Sequence, residues 1–241
     1  MLTPKDIASM LDHSTLQPFL TDEDIVRGCE IARKYGTASV CARPQDMKLV
    51  SSLLKGSGVR SCTVIGFPHG AHTTAVKVFE AEQAIADGCE ELDMVLAIGR
   101  LKSGEFDYVE ADIRAVAEAA HRGGAILKVI LENCYLTDEE KKIACQLCEK
   151  AGADFVKTST GYGSSGANVA DLKLMRAAVS EKVKVKAAGG MRTLDAVLAA
   201  RAAGADRCGV SATVKIMEEA EARFAAGTLR EIEGGELGEG Y

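Results

Sequence analysis

Apolar and polar positions along this chain sort into two alternating kinds of segment. Stretches such as "TDEDIVRGCEIARKYG", "AVKVFEAEQAIADG", "EFDYVEADIRAVAEAAHRGG", "TDEEKKIACQLCEKAG", "NVADLKLMRAAVS" and "TLDAVLAARAAG" place apolar residues three to four apart among charges, the period of an amphipathic helix. Several open on Thr or Asn and close on Gly, the residue types that satisfy helix ends. Between them lie the β-rich runs "TASVC", "VRSCTVIGF", "EELDMVLA", "AILKVIL", "ADFVKT", "KVKVKAA" and "DRCGV", which with "SMLDHS" near the start predict eight strands. Most are apolar almost throughout, as parallel strands covered on both faces are.

The joints between these segments repeat as well. "YGTASV", "DGCEELD", "AGADFV" and "AGADRC" each end a helix and enter a strand within a few residues, and one βα unit takes about 25 to 35 residues. Eight such units predict an α/β fold of the (β/α)8 barrel type. A doubly wound sheet has fewer strands and a Gly-rich first turn, and no GxGxxG opens the chain. With no interior linker, residues 1–241 are expected to form a single domain. Residues 2 to 8 would make a short leading helix, and the Gly-rich residues 226–241 a flexible tail.

Composition narrows the function. The 241 residues are 47% hydrophobic and 27% charged, with a formal charge of -6, so nucleic acid and anionic membranes are not expected partners. No apolar stretch approaches the ~20 residues that span a bilayer, and a cytoplasmic location is expected. The eight cysteines are scattered as reduced, packed thiols are; Cys145 and Cys148 form the one close pair.

A barrel gathers its chemistry at the C-terminal ends of its strands, so ionisable residues there carry weight. Asp12 ends the first strand, Asp93 lies in the fourth, Lys128 in the fifth, Lys157 ends the sixth and Lys186 the seventh. Taken singly, each lysine also reads as a surface residue whose stem lies along apolar neighbours. Together, at one barrel mouth, they read as a site. Lys184 shares the side of Lys186, and alternation does not choose between them. Two lysines and a carboxylate suit Schiff-base chemistry. A lysine of pKa about 10.4 is neutral in roughly one molecule in a few thousand at pH 7; a second ammonium and desolvation raise that fraction. "KAAGGMRT" and "CGVSATVKIMEE" then supply two loops at adjoining strand ends, where barrels bind phosphate. Gly189 and Gly190 permit close backbone approach, and Ser211 is placed to cap the last helix and donate to an anion.

These residues resemble the 2-deoxyribose-5-phosphate aldolases, class I lyases built as (β/α)8 barrels. "LDHSTLQP", "ASVCARP", "IGFPHG", "LDMV", "LKVILE", "AGADFVKTSTG", "VKAAGGMRT" and "GVSA" follow in that family's order from about residue 9 to residue 215. The resemblance implies Lys157 as Schiff-base nucleophile and Lys186 as the second lysine that lowers its pKa. It makes Asp93 the proton-transfer carboxylate, supported by Asp12 and Lys128. Gly189, Gly190 and Ser211 would hold phosphate, Thr160 would lie near the substrate, and the terminal Tyr241 would fold over the site. Ala212, Tyr162 and Arg43 depart from the usual pattern, and Arg43 is a candidate to supply missing positive charge. Cys41 matches a cysteine that can face the site.

The implied reaction is reversible cleavage of 2-deoxy-D-ribose 5-phosphate to acetaldehyde and D-glyceraldehyde 3-phosphate, with no metal and no organic cofactor. The expected partners are those small aldehydes and sugar phosphates, and a second copy of the chain in a homo-oligomer, dimer or tetramer. Three other readings stay open at this point. They are a Schiff-base aldolase of different donor or acceptor, a metal-dependent lyase using His69 and His72 in "FPHGAH", and a non-catalytic sugar-phosphate-binding barrel.

Overall fold

The computed structural model describes residues 2–234 and 237. Its strands are β1 (Leu11–Thr15), β2 (Ser39–Ala42), β3 (Arg60–Ile65), β4 (Glu91–Val95), β5 (Ile126–Ile130), β6 (Phe155–Lys157), β7 (Lys184–Ala187) and β8 (Arg207–Val210). All pairs are parallel, neighbours follow chain order, and β8 pairs back with β1 to close a barrel. Around it run α1 (Pro4–Ala8), α2 (Asp22–Tyr35), α3 (Met47–Leu54), α4 (Thr74–Ala86), α5 (Ile98–Lys102), α6 (Phe106–Arg122), α7 (Asp138–Ala151), α8 (Val169–Ala178), α9 (Leu194–Ala202) and α10 (Thr213–Ala225).

The predicted helices form where their end residues say they should. Thr21 and Asp24 make reciprocal side-chain to backbone bonds at the start of α2, and Gly36 ends it in the left-handed region at φ 67°. Thr137, Glu140 and Gly152 repeat the device on α7; each satisfies backbone groups that a helix end leaves bare. The period misses α3 and α5. No side chain caps α3, which spans eight residues, while α5 spans five, too few to show a repeat. At α10 the N-cap is Ala212 with no side-chain bond, so Ser211 does not cap that helix.

Packing divides the strands into two faces. Outward residues such as Leu92, Met94, Leu127, Val129 and Val185 join the helices in one continuous apolar core. Inward, the barrel holds a small separate cluster of Cys41, Cys62 and Val64 and a set of buried charges. The segment after α10, expected to be a flexible tail, is anchored where it is described. Leu229 and Leu237 are buried, Ile232 packs on the core, and Arg201 holds Glu231 at 2.8 Å, because three apolar side chains punctuate its glycines. No helix among the described residues is long and apolar enough to cross a membrane.

Seven of the eight cysteines are buried and none is paired. Burial raises Cys145 to about 12, which makes the Cys145 and Cys148 pair packing thiols rather than a redox motif. His13 is buried too, with Nδ1 2.8 Å from Thr213 Oγ1, and burial lowers its pKa from 6.5 to about 4. Above pH 6.5 the ring is neutral folded or unfolded. Below it the unfolded chain binds a proton that the folded chain refuses, so stability falls from pH 6.5 down to about pH 4. That loss is expected to reach about 3 kcal/mol, and His13→Gln, compared by urea denaturation at pH 7 and pH 4.5, should lose less stability over the interval than the parent chain.

Candidate active site

The site follows from strand alternation and register. Glu91 and Asp93, two apart on β4, share the inner face, while Leu92 and Met94 turn outward. Parallel register sets Asp93 beside Lys128, Lys157 beside Lys186, and Lys186 beside Arg207. One interior level therefore collects charges from β1, β4, β5, β6, β7 and β8. Gly209 makes room for them: a Cβ there would lie 3.3 Å from Ala188 Cβ and 3.6 Å from Lys186 Cε.

Asp93 is the hub. Its Oδ2 accepts from Lys157 Nζ at 2.7 Å and from Lys186 Nζ at 2.8 Å. Its Oδ1 accepts from Lys128 Nζ at 2.8 Å and Cys62 Sγ at 3.3 Å. Lys186 also lies 2.6 Å from Asp12 Oδ2, and Lys128 2.7 Å from Glu91 Oε2. These last two contacts are ionic approaches outside hydrogen-bond direction, since neither oxygen has a directed partner. Arg207 spans Asp12 at 2.5 Å and Glu91 at 3.2 Å, and Ser39 donates to Asp12 at 2.8 Å.

Charge and burial oppose each other in Asp93, Asp12, Lys186 and Lys128. Burial would raise the Asp93 carboxyl, but Lys128, Lys157 and Lys186 hold it well below the usual carboxylate range. Asp12 is held low in the same way by Lys186, Lys128 and Arg207. Burial would strip the proton from Lys186 and Lys128; Asp12 and Asp93 on the first, and Asp93 on the second, raise both above an ordinary lysine. Lys186 therefore stands as a fixed ammonium beside Lys157. Lys184, left open by alternation, is exposed at the other end of β7 with Nζ 5.8 Å from the Phe155 ring. Lys186 is the lysine that enters the barrel.

Above this floor opens a cleft lined by Lys157, Thr160, Gly189, Gly190, Arg192 and Ser211. Gly189 and Gly190 have φ of 85° and 78°, and a Cβ on Gly189 would come 2.8 Å from Gly166 Cα, so the turn needs glycine. Thr160 is buried, donating its hydroxyl to Glu132 and accepting from Tyr162 N at 2.9 Å. Cys41 also lines the cleft, and its contact with Cys62 lowers its pKa. Arg43 does not join it. Its guanidinium is tied to Asp46 at 2.6 Å and to the carbonyls of Gln17 and Pro18, whereas Arg192 is the arginine that lines the cleft. Tyr162 donates to the Leu16 carbonyl at 3.0 Å. Tyr241 lies outside the described residues.

The histidine pair does not reach this place. His69 and His72 line a separate cleft before α4, with His72 3.4 Å from Glu80. Cys41, Cys62 and Asp93 do bring ligand-type atoms within 4.8 Å of one another. Three ammonium groups already crowd that carboxylate, and burial raises the Cys62 thiol well above its ordinary value, a poor setting for a cation.

Comparison with known proteins gives the arrangement a context. The profile of the DeoC/LacD family aldolases matches residues 6–218. The chain belongs to this family. It is 52% identical over 215 residues to a deoxyribose-phosphate aldolase of Rhodopirellula baltica, covering 89% of each chain. A Thermococcus gammatolerans protein of the same name is 52% identical over 217 residues, covering 89% of this chain and 96% of its own. Among solved structures, one described as a putative deoxyribose-phosphate aldolase from Coccidioides immitis superposes with a TM-score of 0.87 at 41% identity, covering 90% of this chain and 87% of that one. A deoxyribose phosphate aldolase from Aeropyrum pernix, described as a unique tetramer, gives 0.84 at 32% identity over 93% of each chain.

Within this DeoC/LacD barrel the structure adds four residues that sequence reading left unnamed. Glu91 and Arg207 sit in strand-like runs whose inward positions only register identifies. Glu132 lies just past β5, and Arg192 inside the quoted "GGMRT". Lys128 shows what the interior charges cost when broken. Lys128→Met leaves Asp93 Oδ1 and Glu91 short of a counter-charge and is expected to destabilise the fold by about 3–5 kcal/mol, measured by urea denaturation. Lys157→Met leaves Asp93 with two lysines and should cost a small fraction of that.

Proposed function

We propose that this chain is a class I aldolase that reversibly cleaves 2-deoxy-D-ribose 5-phosphate to acetaldehyde and D-glyceraldehyde 3-phosphate, with Lys157 as its Schiff-base nucleophile. The observation that carries the reading is Lys157 Nζ at the mouth of β6, 2.7 Å from Asp93 Oδ2 and sharing that oxygen with the Lys186 ammonium. Lys186 has a second carboxylate in Asp12; Lys157 has Asp93 only through a shared atom.

In the synthetic direction the neutral Lys157 amine adds to the acetaldehyde carbonyl, and the carbinolamine takes a proton from solvent on its hydroxyl and loses water to give a protonated imine. The imine nitrogen withdraws electrons from the neighbouring methyl carbon. Asp93, through a water that the Lys186 ammonium holds in place, takes a proton from that carbon and leaves an enamine. The enamine carbon attacks the aldehyde of glyceraldehyde 3-phosphate, the new alkoxide takes the proton held by the water and Asp93, and water then hydrolyses the imine and frees Lys157. Asp12 and Lys128 hold Asp93 and Lys186 in place through these steps. Gly189, Gly190, Ser211 and the Arg192 side chain are assigned to the phosphate, and Thr160 to the wall beside the bound aldehyde.

Residues 1–241 are read as one catalytic domain acting in the cytoplasm as a homo-oligomer, a reading supported by the tetramer described for the Aeropyrum pernix relative. Tyr241 is kept as a residue that assists proton transfer from the chain end. Borohydride reduction in the presence of acetaldehyde is expected to add an ethyl group to the peptide carrying Lys157. Lys157→Leu should lose both the adduct and turnover. Lys186→Leu should lose about as much stability as Lys128→Met and, per folded molecule, at least about a thousandfold in kcat, since the group that holds the proton-carrying water and the repelling ammonium go together. Turnover with position 157 unmodified would overturn the assignment.

A further inference from the structure

The buried charges under Lys157 form a closed circuit. Asp12 meets Lys186, Lys186 meets Asp93, Asp93 meets Lys128, Lys128 meets Glu91, Glu91 meets Arg207, and Arg207 returns to Asp12, every link between 2.5 and 3.2 Å. Signs alternate without a break around it. Three carboxylates face three cations, and the circuit is neutral as a whole.

Two members have no task in the chemistry above. Glu91 is wholly buried, and its ion-pair partners are Lys128, Arg207 and, at 3.6 Å, Arg60. Arg207 divides its guanidinium between Asp12 and Glu91, with its carbon 5.9 Å from the Phe155 ring centre. Its side chain is 16% exposed, toward the depression at the opposite end of the barrel that Lys184 and Arg60 also line. Neither residue touches the cleft that opens at Lys157.

We propose that Glu91 and Arg207 are positioning residues for the Schiff-base reaction, closing the ring so that Lys128 and Asp12 are fixed and the charge beneath Lys157 sums to zero. The inference rests on the Schiff-base reading of Lys157. A ring open at Arg207 leaves Asp12 partly uncompensated and one negative charge in excess, which holds a proton on the nearby amine. A ring open at Glu91 leaves Lys128 partly uncompensated and one positive charge in excess, which repels it. Plain structural damage would not give the two changes opposite signs. The other titratable and charged groups gathered around Lys157 and the ring are the same in both cases: Cys41 from β2, Cys62 and Arg60 from β3, Cys89 before β4, Glu132 beyond β5, Arg192 beyond β7 and Cys208 from β8.

The test measures the rate of borohydride trapping of acetaldehyde against pH in the full chain, with mass analysis to place the adduct at Lys157. Glu91→Gln is expected to move the half-maximal pH down, and Arg207→Met to move it up, each by about one unit or somewhat less. The double variant is neutral again and should return close to the parent profile, and Arg207→Lys should rescue it alone. In steady state the single variants should lose kcat with little change in KM for glyceraldehyde 3-phosphate. Shifts of the same sign, or none, in variants that melt cooperatively would overturn the proposal. Should Arg207→Met fail to fold, Glu91→Gln and Arg207→Lys decide: a downward shift in the first and a parent profile in the second support the ring, and an unmoved Glu91→Gln profile refutes it. Failure of the parent chain to trap at Lys157 would instead overturn the Schiff-base reading itself.

Discussion

The contact on which this barrel depends is the one between Asp93 and three lysines. An ion taken into a dry interior costs several kcal/mol even after relaxation, and here three carboxylates and four cations lie almost out of reach of water. Such a set survives only where every carboxylate meets a cation at contact distance. That demand constrains the backbone. A slip of one residue between neighbouring strands would turn an inward side chain into the helix layer, so Asp93 meets Lys128, and Lys157 meets Lys186, only in the observed register. The outward Leu92, Val129 and Val185 enforce the same register from the other side. Core packing and the charged interior thus specify one pairing of the strands, and each penalises any departure the other would allow.

Most of the barrel was legible along the chain because its signals are local. A Thr cap, a 3.6 period and a terminal Gly mark α2 and α7 without reference to anything distant. The exceptions are the short helices: α3 spans eight residues with no capping side chain, and α5 spans five, with no room for a period. At the chain end such marks are sparse. Glycines and acids from residue 226 onward read as unpacked, yet Leu229 and Leu237 find apolar partners that only the closed barrel presents.

The site divides along the same line. Lys128, Lys157 and Lys186 stood out because a charge in an apolar strand is anomalous by itself. Glu91 and Arg207 are charges at strand starts, where an exposed residue is ordinary, and alternation alone could not separate Lys184 from Lys186. What distinguishes them is depth along the barrel, and depth is fixed by eight strands in mutual register. Arg43 shows the converse. It looked available for an anion until its three hydrogen bonds to Asp46, Gln17 and Pro18 were in view.

Rigidity at the mouth is built by a different means from rigidity at the floor. Glu132 takes φ 55° and ψ 65°, a left-handed conformation that costs a non-glycine residue about 1–3 kcal/mol and persists only where its surroundings over-determine it. They do so here. Asn133 donates its backbone to Thr158 at 2.9 Å and its side chain to Asp171 at 3.0 Å, and Lys141 grips Asp171 at 2.7 Å. The Glu132 carboxyl, whose pKa burial raises, is thereby aimed across the strand gap at Thr160, which in turn orders Tyr162 and through it the loop after β1. The wall beside Lys157 is therefore held by hydrogen bonds that reach outward to α7 and α8, while the amine itself is held from below by charge. A change in the charges of the floor therefore leaves the hydrogen bonds of the wall in place, because the two supports share no side chain.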